Sequence, residues 1–320
     1  MASSLVLPFE RPIAGLLARI AEVRELAETD ESFIPELEKL EEESAKVVHE
    51  LLEQLEPMER VQLSRHGGRP YTLDFVDRLF TDWVELRGDR RFSDDPAIVA
   101  GLARFHGRSV AVVGHQKGRT TKEKVKRNFA MAHPEGYRKA IRIFELASRF
   151  GLPVLTFIDT PGAYCGIGAE ERGQSEAIGT AIAAMVRSGT PIIASITGEG
   201  GSGGALALGV ANHVLVLEFG CYSVISPEGC AAILWRDGAH AAEAAKQLKI
   251  TAPDLLRLGV VDEIIPEPAG GAHRDHDEMA RRLDERIWQA LQQFDGLSPD
   301  EIREQRYQRF RKLGATGGDA

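Results

Sequence analysis

Hydrophobic residues recur at helical spacing near the start of the chain. Between positions 11 and 55 they return every three or four residues, and Glu and Lys occupy many of the positions between them. This period places the apolar side chains on one face of a helix. Because the pattern is interrupted at residues 29–35, it predicts two amphipathic helices, which pack either on their own chain or on a partner.

The pattern changes in the next part of the chain. Residues 57–92 have the pattern of short helices, one of them starting with Thr72 as its N-cap. Two apolar runs rich in β-branched residues follow, at 97–105 and 109–114, and a His-Gly pair separates them. Such runs around a short turn predict a β-hairpin.

Strand and helix patterns then alternate to the end of the chain. Alternation of this kind predicts an α/β fold in which helices pack on a parallel sheet. Residues 314–320 are a small-residue tail that is expected to fray. The predicted strands are 153–159, 191–197, 214–218, 222–225 and 260–265, and the predicted helices are 134–150, 170–188, 202–211, 227–234 and two within 276–313.

Composition narrows the class of protein. The 320 residues are 43% hydrophobic and 27% charged, enough for one large domain or two ordinary ones with a sizeable core. A net charge of −9 argues against a general nucleic-acid binder. The three cysteines form no CxxC pair, which favours a reducing compartment and gives no zinc signature. No secretory signal or apolar run long enough to cross a membrane is present, so we expect a cytoplasmic protein.

A glycine-rich turn at residues 198–207 joins a predicted strand to a small-residue helix. Glycines permit tight turns and close approach of another group. The first N–H groups of a helix lack intrahelical partners and favour negative charge. The turn is therefore either an anion site or a turn that needs glycine only for packing. No Lys follows it as a P-loop requires, and it lies too late in the sheet for a dinucleotide fingerprint.

A second glycine-spaced loop, at 159–173, follows the preceding strand. Ligands of open α/β sheets bind outside the carboxyl ends of the strands, so we expect both loops to face one crevice. Asp159 is expected to cap its own turn rather than to act as a base or a metal ligand. Ser226 before Pro227 predicts a helix N-cap.

Ser202 completes the GxSxG pattern of serine hydrolases. A catalytic triad also needs a histidine base and an orienting carboxylate. His213 is the nearest downstream histidine and no Asp follows it closely, whereas His115 and His133 could reach Ser202 only through the fold. These observations disfavour a serine hydrolase.

Residues 117–127 hold six basic residues and one acidic residue in a chain that is acidic overall. Such a segment attracts a multiply phosphorylated ligand or an acidic partner surface. The alternative is a solvated helix face. The basic residues are Lys117, Arg119, Lys122, Lys124, Lys126 and Arg127.

Taken together, these motifs resemble the α subunit of bacterial acetyl-CoA carboxylase carboxyltransferase. The resemblance implies an α/β fold, a crotonase/ClpP-like spiral of ββα units with N- and C-terminal helical extensions. It divides the chain into a helical arm at 1–38, a carboxyltransferase domain at 39–294, and a C-terminal helix and tail at 295–320. The matching strings are 9–13, 69–74, 114–119, 134–140, 159–174, 198–207, 223–234, 264–268 and 306–309.

The resemblance also implies the reaction and the partners. A carboxyl group passes from carboxybiotin, held on a separate biotin carboxyl carrier protein, to acetyl-CoA. The product is malonyl-CoA, in the first committed step of fatty acid synthesis, and decarboxylated biotin is the expected base. The assembly is α2β2 with a β subunit that carries the family's zinc, so no metal is expected in this chain. Biotin carboxylase joins the full complex, and neither membrane nor nucleic acid is an expected partner.

The site residues follow from the same resemblance. The backbone N–H groups of Gly203 and Gly204, with that of Ala205 close by, form the oxyanion hole for carboxybiotin. Cys165 departs from the family, which has Pro there, and is expected to loosen the loop. The residues expected to bind substrate or cofactor are Gly162, Ala163, Tyr164, Gly166, Gly200, Gly201, Ser202, Lys117, Arg119, Lys122, Lys126 and Arg127.

Two other classes of function stay open at this point. One is a self-contained crotonase-fold acyl-CoA hydratase or thioesterase, which would be active without a second subunit. The other is a non-catalytic scaffold or RNA-binding module that uses the basic segment.

Overall fold

A computed structural model describes residues 6–27 and 29–314. Helices α1 (Arg11–Ala27) and α2 (Ile34–Glu53) form the predicted amphipathic pair. Their apolar faces meet through Ile13 and Val48, which pack in one cluster with Phe219 from the body of the protein. The inner face of this arm is therefore covered by its own chain.

Glu10 fastens the start of the chain to the body. Its carboxylate is buried, and it accepts hydrogen bonds from the Leu7 N–H at 2.8 Å and from Arg274 at 2.8 Å. His273 lies 3.2 Å away, and its ring packs on that of His66. Burial opposes ionisation, but the hydrogen bonds from His273 and Leu7 outweigh it and lower the pKa of Glu10 to about 2.

Residues 57–92 contain a strand that the sequence pattern did not predict. Helices α3 (Pro57–Ser64) and α4 (Thr72–Leu79) are followed by strand β1 (Thr81–Glu85), which pairs with the hairpin. The N-cap of α4 is Tyr71, whose N–H donates to Asp74. The prediction of Thr72 as the N-cap was therefore wrong. The Thr72 hydroxyl donates instead to the carbonyl of His115.

The predicted β-hairpin is confirmed as β2 (Ile98–Phe105) and β3 (Arg108–His115), paired antiparallel. His106 and Gly107 between them have φ values of 49° and 77°. Positive φ at both central residues is what a tight two-residue hairpin turn requires. Helix α5 (Thr121–Lys126) follows, and α6 (Pro134–Phe150) spans the predicted residues.

The remaining elements agree with the predicted alternation, with three differences. The predicted helix at 170–188 is divided at Gly173, where φ is 79°. The strand predicted at 260–265 is short, and two helices before it were not predicted. The elements are β4 (Val154–Thr160), α7 (Ile167–Glu171), α8 (Gln174–Arg187), β5 (Ile192–Gly201), α9 (Ser202–Gly209), β6 (His213–Leu217), β7 (Cys221–Ser223), α10 (Pro227–Leu234), α11 (Ala241–Leu248), α12 (Ala252–Arg257), β8 (Glu263–Ile265), α13 (His276–Gln292) and α14 (Pro299–Lys312).

One mixed sheet organises these elements in the order β1-β2-β3-β4-β5-β6-β8, with β7 paired to β5. The strands from β3 onward run parallel, and β1 to β3 are antiparallel. Every residue of β4 and β5 is buried, because helices cover both faces. One face packs on α6, α8 and α9, and the other packs on α4 and α13. The predicted α/β fold is confirmed.

Arg306 holds α14 against the sheet. Its guanidinium is buried and donates to the carbonyls of Met185, Ser188 and Thr190 at 2.6–2.7 Å and to the side-chain oxygen of Asn212. Residues 315–320 of the predicted tail lie outside the described residues. Among the helices that are described, none is long and apolar enough to cross a membrane. The boundaries at 38/39 and 294/295 stay predictions.

Candidate active site

The two glycine loops lie side by side at the carboxyl ends of β4 and β5. Strand β5 continues through the glycines to Gly201, and α9 begins at Ser202 with no loop between them. Thr160 of β4 pairs with Gly200, and Gly200 also pairs with Tyr222 of β7. The two loops are therefore neighbours, and the expectation that both face one crevice stays a prediction.

Close packing explains several of these glycines. A Cβ added to Gly201 would lie 2.1 Å from the Pro161 carbonyl oxygen, and one on Gly204 would lie 2.6 Å from the nitrogen of Ala163. Neither position has room for alanine unless the backbone moves. The interpretation that glycine serves packing is therefore correct for Gly201 and Gly204.

Gly203 has no such packing reason. An added Cβ would meet only Ile178, at 3.6 Å, which is an ordinary van der Waals contact. The residue is half-buried and lines an open groove of about 360 Å³ together with Ser202 and Leu206. The groove walls are mostly apolar. The missing side chain therefore leaves space beside an accessible stretch of backbone.

The amides at the start of α9 are not capped by a side chain. Gly201 is the N-cap residue and its position carries no side-chain cap. In a helix that begins at Ser202, the N–H groups of Ser202, Gly203 and Gly204 precede the first intrahelical donor, which is Ala205. The N–H of Ala163, against Gly204, also donates no hydrogen bond within the described residues. The uncapped start of α9 therefore lies beside a loop amide that is unpaired within the described residues.

A network of charged groups joins the strand ends beneath the loops. Lys117 Nζ lies 2.6 Å from Asp159, which also accepts the N–H of Glu199 at 3.0 Å. Arg65 bridges Glu199 and Glu228, at 2.7 Å each. The prediction that Asp159 caps its own turn was wrong, because its Oδ1 accepts from Lys117 and from the Glu199 N–H of the neighbouring strand. The hydroxyl of Thr160 accepts the Gly162 N–H in its place.

Lys117 and Arg119 of the basic segment already have hydrogen-bond partners within their own chain. Burial acts to lower the pKa of Lys117, but the Asp159 carboxylate outweighs it and raises that pKa. Arg119 donates to the carbonyls of Gly67 and Arg69 at 2.8 Å and lies over the ring of Tyr71.

The other three predicted binding residues of the segment differ in whether they already have a partner. Arg127 donates to the Pro96 carbonyl at 2.8 Å. Lys122 and Lys126 are exposed on α5, and neither forms an ion pair with any residue the structure describes. Only these last two of the five predicted binding residues in the segment are available to a ligand.

The loop after β4 is tied down by residues that sequence analysis did not single out. Gln174 donates to the carbonyls of Tyr164 and Ala132, at 2.7 and 2.8 Å. Tyr164 packs on the ring of His133, and an added Cβ on Gly166 would lie 2.4 Å from the Tyr164 ring. Cys165 is exposed beside them. The only sequence signal for Gln174 was its place at the end of a matching string.

No catalytic triad forms around Ser202 among the described residues. His115 is fully buried, and burial, followed by the charge of Lys117, lowers its pKa to about 3. His133 is paired with Asp95, and His213 begins β6 at the opposite end of the sheet. The positive φ of Ser202, 55°, reflects the sharp change from strand to helix. The expectation against a serine hydrolase is supported.

One cluster has the residue types of a metal site. Glu10, His66 and His273 bring possible ligand atoms within 4.8 Å of one another. Both Glu10 oxygens already accept hydrogen bonds, one of them from the Arg274 guanidinium. A neighbouring cation disfavours a second one, so we interpret the cluster as the anchor of the N-terminal segment.

Solved structures with a similar fold include transcarboxylase 12S, with a TM-score of 0.57 and 20% identity over 71% of this chain. The match spans 42% of that longer chain. A Pseudomonas malonate decarboxylase hetero-tetramer in complex with coenzyme A gives a TM-score of 0.56 and 19% identity, covering 68% of this chain and 86% of the other. The fold is that of the crotonase-like carboxyltransferases.

Sequence similarity identifies the family. Residues 6–314 match the model of the acetyl co-enzyme A carboxylase carboxyltransferase-like family. The acetyl-coenzyme A carboxylase carboxyl transferase subunit alpha of Sorangium cellulosum is 67% identical, over 99% of this chain and 100% of its own length. The subunit of the same name from Thermus thermophilus is 57% identical, over 97% of this chain and 98% of its own length. The chain belongs to this family of acetyl-CoA carboxylase carboxyltransferase α subunits.

Proposed function

We propose that this chain forms the carboxybiotin half of an acetyl-CoA carboxyltransferase. It transfers the carboxyl group from carboxybiotin, carried on a biotin carboxyl carrier protein, to acetyl-CoA, and malonyl-CoA is the product. It works in the cytoplasm as an α2β2 assembly with a β subunit that supplies the zinc, and biotin carboxylase completes the complex. The observation that carries this proposal is the accessible, uncapped backbone at Gly203.

The residues present fit a biotin-type group. Its ureido ring is small and carries one oxygen, and Gly203, which has no side chain, leaves open space in the groove beside its backbone. The adjoining groove offers apolar walls, among them Leu206 and Val224, for the rest of the ligand. When bound, carboxybiotin supplies the activated carboxyl group.

The contribution of this chain is electrostatic. The N–H groups of Gly203 and Gly204 donate toward the oxygen on which negative charge develops, and the helix dipole of α9 favours that charge. Ala163 adds a third donor from the neighbouring loop. By helix geometry Ala205 is the weaker candidate, because its N–H is the first with an intrahelical acceptor. Loss of one such donor costs about 3 kcal/mol, or roughly a hundredfold in rate.

Substitution at Gly203 tests the proposal. Gly203→Ala keeps the fold, since the new methyl meets only Ile178, but it stands where the ligand approaches. We expect carboxyl transfer with the β subunit to fall at least tenfold at unchanged thermal stability. Gly15→Ala is the matched control, because its methyl meets nothing within 4 Å in α1. Unchanged transfer in Gly203→Ala would remove the turn from the mechanism.

Omission of the β subunit tests the other classes of function. A self-contained acyl-CoA hydratase or thioesterase would turn over without it, whereas we expect negligible activity of any kind from this chain alone. A scaffold or RNA-binding module would tolerate Gly203→Ala in its binding assay. Full activity in the absence of β would contradict the proposed assembly.

A further inference from the structure

Tyr137 carries a buried hydroxyl without a hydrogen-bond partner. The residue lies in the first turns of α6, and its ring is part of the main core with no exposed surface. The hydroxyl oxygen meets no donor or acceptor among the described residues. Buried polar groups are nearly always paired, so an unpaired one requires an explanation.

The hydroxyl lies at the contact between the two glycine loops. A Cβ added to Gly204 would stand 2.9 Å from the Tyr137 oxygen, 2.6 Å from the Ala163 nitrogen and 2.6 Å from the Gly162 carbonyl carbon. The Ala163 N–H donates to none of the described residues either. Two unpaired polar groups from different elements thus flank Gly204, where the proposed anion donors begin.

We propose that Tyr137 is a positioning residue for carboxyl transfer, whose hydroxyl is unpaired before the ligand binds and donates to the Gly162 carbonyl when the turn closes on its ligand. This inference rests on the proposed function of the turn. The ring cannot reach the ligand, since it is enclosed by core residues, so it acts through the loop. Pairing on closure holds Ala163 and Gly204 in one geometry and directs their N–H groups to the same oxygen.

The chemistry of the hydroxyl suits this role. Burial raises the pKa of Tyr137 far above its ordinary value, and the charge of Asp95 raises it further. The group therefore stays protonated at any working pH, and it both donates and accepts. A phenylalanine would fill the same space without an unpaired group, so packing alone does not account for tyrosine.

Tyr137→Phe separates positioning from packing. In the complex with β, we expect the variant to melt about 2–4 °C higher than the parent without ligand, because an unpaired buried hydroxyl is removed. The rise in melting temperature on addition of biotin should be smaller than in the parent. In transfer from malonyl-CoA to free biotin, kcat should fall about tenfold with KM for malonyl-CoA unchanged. Tyr307→Phe, half exposed on α14, is the matched control.

The outcomes distinguish this inference from the proposed function. The positioning role is overturned if Tyr137→Phe keeps the kcat of the parent and the same rise in melting temperature on addition of biotin. It is also overturned if the variant melts at a lower temperature than the parent but keeps the parental kcat, because that result indicates a hydroxyl already paired through a buried water. If Gly203→Ala still loses activity in that case, the proposed turn stands and only Tyr137 is wrongly assigned. If Gly203→Ala is also unaffected, the proposed site itself fails.

Discussion

Replacement of Lys117 by Met should destabilise the protein strongly, although the residue belongs to a basic segment that looks like a ligand site in the sequence. Its side chain is 16% exposed and that of Asp159 is 3% exposed. Removal of the cation leaves a buried carboxylate whose remaining hydrogen-bond donor among the described residues is the Glu199 N–H. Breaking a buried pair costs about 3–5 kcal/mol. Since Lys117 keeps some contact with water, we expect about 3 kcal/mol.

Urea unfolding followed by circular dichroism measures this loss. With an unfolding entropy of about 2.1 cal/mol/K per residue, a change of about 3 kcal/mol in this chain of 320 residues corresponds to a fall in melting temperature of roughly 4–5 °C. Lys122→Met is the matched control, because Lys122 is exposed and unpaired among the described residues, and it should change stability by less than about 0.5 kcal/mol.

A double variant tests whether the cost comes from the stranded charge. Lys117→Met with Asp159→Leu replaces both charges by apolar groups and should recover most of the stability lost in Lys117→Met alone. If Lys117→Met is no less stable than Lys122→Met, the pair is not structural. Lys117 would then return to the set of ligand-binding candidates.

Three further predictions concern the N-terminal anchor, the C-terminal helix and the exposed lysines. Because the folded pKa of His273 is lowered to about 4, chiefly by burial, and that of Glu10 to about 2, the folded state binds fewer protons than the unfolded one below pH 6.5. Stability should therefore fall as the pH drops from about 6.5 toward 2. Glu10→Gln should make the free energy of unfolding less dependent on pH below about 4.5 in acid titrations. An unchanged dependence would contradict the role of Glu10 as an anchor of the N-terminal segment. Arg306→Met strands several buried acceptors and should cost about 3–5 kcal/mol in urea unfolding, whereas a loss below about 1 kcal/mol would show that α14 docks by other contacts. Charge reversal at Lys122 and Lys126 should raise KM for the CoA substrate or the carrier at unchanged stability, and unaltered kinetics would dismiss a binding role.

The local pattern of the sequence was sufficient for most elements. The hairpin at β2 and β3, helix α6 and the strand-to-helix change at Ser202 are all encoded within short windows of hydrophobic spacing and turn residues. Strand β1 was missed because its exposed edge position leaves a weak apolar alternation. The family motifs, which are also local strings, led to the correct family.

The roles of individual polar residues depended on tertiary structure. Lys117 and Asp159 are 42 positions apart, and nothing near either residue in the chain shows that they form a pair. The same holds for Gly203 and Gly204, since only their neighbours in space show that one glycine is required by packing while the other leaves room for a ligand. Periodicity reports which face of an element is buried, whereas the partner of a buried polar group is decided by which strand ends the fold brings together.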